Sequence, residues 1–221
     1  MSMSSRDLRQ MVEGALSAEF LERAVKGLAL ANRETARYCS RFAAPERSGV
    51  FGHLERAHTQ TSLREAARQT AGMEFRSRAN EPKTAFYTVV RSAGVLLTSS
   101  AVQSPGQMPR AADYRNSIAL NPQVSLFDFF EREVSAPTSA ANDDGSVFGI
   151  ITHSRNNKFE LVDVRIVVPD SGNTYSLCTI HLGELLAQAL DEQKNLAPEE
   201  SISEVEPELL NEETDWESGK G

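Results

Sequence analysis

Cysteine is almost missing from this chain. Cys39 and Cys178 are the only two in 221 residues, too few and too far apart for a disulfide framework, which fits a reducing compartment. Both are expected to be buried as small apolar side chains. Long apolar runs are missing too: Val147 to Ile151 and Ile166 to Val168 fall far short of the roughly 20 residues that a membrane helix needs. No membrane association is expected. The opening residues, Met-Ser-Met-Ser-Ser-Arg, hold no apolar stretch ahead of a small-residue cleavage site, so a cytoplasmic protein is expected. The sequence also has no glycine-rich phosphate loop, no nucleophile elbow and no paired-cysteine zinc motif. Its four histidines are not at metal-ligand spacing, since His53 and His58 are five apart and His153 and His181 fall in separate predicted strands. These absences leave no reaction to assign. A non-enzymatic role without a cofactor is expected.

Lysine is scarce as well, at 5 against 18 arginines, and most of the arginines precede residue 120. Charge is therefore split along the chain. Residues 1–119 hold 17 Lys+Arg against 11 Asp+Glu, and residues 120–221 hold 6 against 20. Much of the acidic excess is a tail: residues 196–221 contain nine carboxylates and one lysine, with Trp216 as their only aromatic residue. Such a composition buries too little apolar area to offset chain ordering, so the tail is expected to be disordered. Residues 1–195 are left with 22 basic and 22 acidic groups, a balanced body.

The first third reads as helical. Ser5 precedes an apolar stripe of Leu8, Met11, Val12, Ala15 and Leu16, and Ser17 is placed to cap a longer helix through Phe20, Leu21, Ala24, Val25 and Leu28. Pro45 and Ser48-Gly49 are expected to end that helix. A short segment over 49–58 follows, then a capping box at Ser62 and Glu65 that starts a new helix stopped near Gly72. After Pro82 the pattern turns to strands. Residues 84–90 and 95–102 are rich in β-branched and aromatic residues around Ser92-Ala93-Gly94, which predicts a hairpin. Residues 104–124 read as a connection with a short helix near 111–118, ahead of an aromatic cluster at Phe127, Phe129 and Phe130. Three more strands are predicted over 147–153, 159–168 and 174–180, and a closing helix resumes at Leu182. Helices first and strands afterwards predict an α+β fold, with N-terminal helices on a mostly antiparallel sheet and a disordered acidic C-terminal tail. The expected division is one domain over 1–195, helical over 5–72, β-rich over 84–180 and closed by a helix over 182–193, followed by the tail at 196–221.

Two arginine groups are the candidate binding residues. Arg33, Arg37 and Arg41 recur at i, i+4, i+8 on one side of a helix, and Arg64, Arg68, Arg76 and Arg78 follow the capping box. Guanidinium groups favour bidentate contacts to carboxylate or phosphate. An exposed helix face is ordinarily charged, which accounts for the same residues without a ligand. The helix at 63–71 is not a helix-turn-helix, because Pro82 and the strand pattern arrive before a second helix. Asp143, Asp144, Glu160, Asp163 and Arg165 form at most an incomplete metal-nuclease pattern, with arginine where lysine would stand, and strand alternation explains the last three. Trp216 and the tail's Ile202, Val205, Leu209 and Leu210 interleave with carboxylates, as apolar anchors for a basic groove would. The expected function is an interaction or regulatory protein with a protein partner. A nucleic-acid-binding regulator using the arginine-bearing helices is the alternative, and oligomeric state is left open.

Overall fold

A computed structural model describes residues 5–79, 86–110, 146–156, 159–170 and 174–196. The tail beyond 196, the aromatic cluster at 127–130, the short helix expected over 111–118, and Asp143 and Asp144 lie outside the described residues. The protein has an α+β fold with N-terminal helices packed on a mostly antiparallel six-stranded sheet. The order is α1 (Ser5–Ala15), α2 (Ala18–Cys39), α3 (Ala44–Arg68), β1 (Glu74–Ala79), β2 (Phe86–Ser92), β3 (Val95–Val102), β4 (Val147–Arg155), β5 (Leu161–Pro169), β6 (Ser176–His181) and α4 (Gly183–Leu196). Strands stand in the sheet in chain order. All neighbours are antiparallel except the central pair β3 and β4, which run parallel with Leu97 opposite Gly149.

Local chemistry explains most of the element ends. The Ser17 hydroxyl accepts from the Phe20 amide at 3.1 Å, satisfying one free donor at the start of α2. Ala93 and Gly94 both take positive φ, 40° and 81°, the backbone conformation with which a two-residue turn matches the right-handed twist of β2 and β3. Pro45 does not end α2. It sits in the first turn of α3, where its missing N–H leaves nothing unsatisfied.

The capping box at Ser62 is overturned. α3 runs unbroken from Ala44 to Arg68, through Gly49, Gly52 and residue 62. The Ser62 hydroxyl donates instead to the Gly27 carbonyl on α2 at 3.0 Å. A Cβ at position 27 would stand 3.0 Å from the Ser62 Cβ, so glycine lets the two helices meet there. This tertiary partner, absent from any local reading, takes the hydroxyl that a cap would use. Strand β1 corrects the expectation of strands only after Pro82. Its sequence, EFRSRA, alternates but carries one large apolar residue, which is enough for an edge strand and too little for a clear pattern.

Helix and sheet share one core. Val12, Phe20, Val25, Leu28, Leu63, Leu97, Ile151 and Ile166 are buried in it. Both cysteines are buried and unpaired, as expected. Alternation along the strands sets the two sheet faces. Thr88 meets Gln60 of α3, so Val90 and Ser92 also face the helices, whereas Val89 points away. On the far face Val89, Leu96, Thr98, Phe148, Ile150 and Val167 are buried too, which makes β4 an interior strand on both sides. No helix among the described residues is long and apolar enough to cross a membrane.

Candidate functional site

The structure keeps one arginine group together and disperses the other. On α2, Leu30, Arg33, Arg37 and Tyr38 fall at i, i+3, i+7 and i+8, and Arg41, expected on the same helix, lies in the turn just past its end at Cys39; all five are exposed. The opposite side of the same helix, with Val25, Leu28, Asn32, Thr35 and Cys39, is buried. The exposed stripe is therefore set by the 3.6-residue period of an amphipathic helix whose other face is core. Arg41 stands over the Tyr38 ring with its guanidinium carbon 6.0 Å from the centroid, at the outer reach of a cation–π contact. Arg33 lies 3.9 Å from Glu34. Arg37 and Arg41 make no ion pair among the described residues. Lys26 extends the line toward the start of α2, and it is already occupied: Glu22 and Glu192 approach it at 2.7 and 2.8 Å. These hydrogen bonds raise the Lys26 pKa above its ordinary value, Glu192 contributing most.

The second group is split between sheet faces. Arg64 and Arg68 lie on α3, and Arg68 is paired with Glu65 at 2.7 Å. Arg76 lies on β1 opposite Val89, on the face turned away from the helices. Arg78 stands opposite Tyr87 in the same strand pair. The four do not form one surface. Trp216 lies outside the described residues.

A second cluster, hidden in the sequence, lies where α3 crosses β4. Glu55 projects from the apolar side of α3 between Phe51 and Thr59, each one turn away, and all three are buried. Arg155, at the end of β4, donates to the Glu55 carboxylate at 2.5 Å. Its guanidinium lies 4.3 Å from the centre of the Phe51 ring and 5.5 Å from that of Phe159. His153 faces the same helix and is only 3 % exposed, with Nε2 3.7 Å from Glu55 Oε1, too far for a hydrogen bond. Neither ring nitrogen has a hydrogen-bond partner. His153 is thus an interior residue of the strand. Burial, helped by the positive charge of Arg155, pushes its pKa down to about 4 and keeps the ring neutral. Burial also holds the Glu55 carboxyl above its ordinary range, against the downward pull of Arg155. The signal that would have found this cluster is a glutamate at i+4 from Phe51 and i−4 from Thr59, on the same side of the helix as Leu63.

This cluster has the residues of an acid–base site but sits in the interior. Among the described residues, no three His, Cys, Asp or Glu side chains gather as a metal site would require. Asp163 is engaged by Arg165 at 2.8 Å, on the opposite face of the sheet from His153, since Asp163 stands across from Ser154. An open depression near the β2–β3 turn, lined by Gly72, Glu74, Arg91, Ser92, Ala93 and Gly94, contains charges that face each other, Arg91 lying 3.8 Å from Glu74. Among the described residues, the arrangement available to an external molecule is the α2 stripe with the turn after it, where two guanidinium groups without an ion pair stand beside an aromatic ring and a leucine. Comparison with family models, with curated proteins and with solved structures gives no match for this chain.

Proposed function

We propose that this protein is a non-enzymatic, cytoplasmic interaction or regulatory protein that binds another protein through the α2 stripe. The observation that carries the reading is the row of Leu30, Arg33, Arg37 and Tyr38, exposed along one side of a helix whose other side is core, with exposed Arg41 in the turn that follows. Arginine and tyrosine are the side chains that most often anchor protein interfaces, and a cationic row with apolar points suits an acidic segment with apolar residues of its own. Nucleic acid is the competing ligand for the same cations. Two arginines about 6 Å apart along the helix and a third in the turn beyond it, preceded by Leu30 and interleaved with Glu34 and Tyr38, match an acidic peptide better than a backbone with a phosphate charge every few ångströms.

The full chain immobilised on a support and exposed to its native lysate, beside the variant R33E/R37E/R41E, tests this. Wild type is expected to retain a defined set of proteins, resistant to nuclease, and the variant to recover them at least tenfold less, with an unchanged circular dichroism spectrum. Equal recovery by both chains, or loss of the captured material on nuclease treatment, would refute it.

A further inference from the structure

The stripe has a candidate occupant within the same chain. Residues 197–221 follow directly from α4 and carry Glu199, Glu200, Glu204, Glu206, Glu208, Glu212, Glu213, Asp215 and Glu217 against Lys220 alone. Ile202, Val205, Leu209 and Leu210 interleave with these carboxylates, and Pro207 among them argues against one continuous helix, so the pattern is one of short apolar anchors between acidic groups. The last helix packs against α2, the element that carries the stripe. Glu192, four residues before the end of α4, already pairs with Lys26 at 2.8 Å, and Lys26 lies on the same side of α2 as Arg33 and Arg37. Lys26 and Arg37 are about 17 Å apart along α2. The 13 residues from Leu196 to Leu209 can span about 43 Å when extended, so reach does not limit the contact.

We propose that the C-terminal segment 199–217 docks in cis on the α2 stripe, with its carboxylates on Arg33, Arg37 and Arg41 and its apolar residues against Leu30 and Tyr38. An external partner then binds by displacing it. The proposal rests on the stripe being the interaction surface. Tethering makes the segment an effective competitor, because attachment through a short link corresponds to an effective concentration on the order of millimolar. Its grip is electrostatic at the surface and weakens with salt.

Trp216 is the only tryptophan in the chain, so its fluorescence reports on the segment alone. In the full chain at low salt, its anisotropy is expected to be at least twice that of the variant R33E/R37E/R41E. It should fall to the variant's value in 1 M NaCl and stay constant as protein concentration is varied tenfold. Equal anisotropy in wild type and variant at low salt overturns the proposal, and so does an anisotropy that rises with concentration, which would place the segment on a second copy. A full-length chain with Glu204, Glu206, Glu208, Glu212 and Glu213 changed to glutamine separates this from the underlying reading. It is expected to capture external partner at least fivefold better than wild type. Capture that depends on the stripe but is unchanged by these substitutions removes the docked segment and keeps the surface. Capture indifferent to the stripe removes both.

Discussion

Arg155→Ala is expected to lower the free energy of unfolding by about 3–5 kcal/mol, measured by urea denaturation at pH 7, because it strands a buried carboxylate. Glu55 comes from the apolar side of α3, and its side chain is 7 % exposed. Its charge is matched by one group, the Arg155 guanidinium at 2.5 Å. Arg155 also covers Phe51 and Phe159, so truncation removes a stacked plane as well as a charge. The nearby imidazole cannot substitute, since His153 is neutral and 3.7 Å away. Two controls tie the loss to the charge. The double variant Glu55→Leu with Arg155→Met removes both ions and should recover most of the stability, as buried pairs replaced by apolar residues generally do. In Arg155→Ala alone the deficit should shrink as pH falls, because Glu55 then takes a proton and ceases to be a buried charge. A loss under about 1 kcal/mol would mean that α3 is not held to β4 through this pair.

His153 is expected to give the protein a stability that falls on acidification. In the unfolded chain an imidazole titrates near pH 6.5, whereas in the fold its pKa is about 4. Between these values the unfolded chain binds a proton that the folded one refuses, so stability is full above pH 7 and is lost as pH drops toward 4. The whole span is worth about 3 kcal/mol at 1.36 kcal/mol per pH unit. Glu55 acts in the opposite sense. Its raised folded pKa means that the fold takes up its proton first, which adds stability as pH falls through that pKa and reduces the net slope. Comparing wild type with His153→Leu isolates the histidine: the wild-type curve should descend more steeply between pH 6.5 and 4, by an amount near 3 kcal/mol in total. Parallel curves would show that the imidazole is not excluded from protonation in the fold.

The first effect joins residues 100 positions apart, and the second follows from the burial of His153 in the fold; no local pattern announces either. What was legible was local. Ser17 as a cap, Ser92-Ala93-Gly94 as a hairpin turn and the β-branched run at 95–102 each depend on neighbours a few residues away, and the structure places each as read; the run expected over 84–90 forms a strand over Phe86–Ser92, and the helical stripe of α2 holds as far as Cys39. Legibility failed where a distant partner decided the outcome. Ser62 has the form of a cap, but Gly27 on the next helix gives its hydroxyl a better use. Gly49 and Gly52 weaken α3 by propensity, yet packing on α2 and the sheet carries the helix through them. Strand β1 pairs with β2 along its whole length while showing the sequence only one large apolar residue. The arginines divided in the same way. Those related by helical period stayed together, and those grouped only by proximity in the chain were distributed over both faces of the sheet.

The account depends on the α2 stripe being a surface that meets protein. Tyr38 and Tyr175 are similarly exposed, at 48 % and 58 %, and only Tyr38 lies on the stripe. A photo-crosslinking amino acid placed at each position in turn, in the full chain within its native cells, makes the comparison directly. The predicted result is a discrete adduct of higher mass from position 38, resistant to nuclease and sensitive to protease, with none from position 175. An adduct from 175 and not from 38, or one at 38 that nuclease removes, would contradict it.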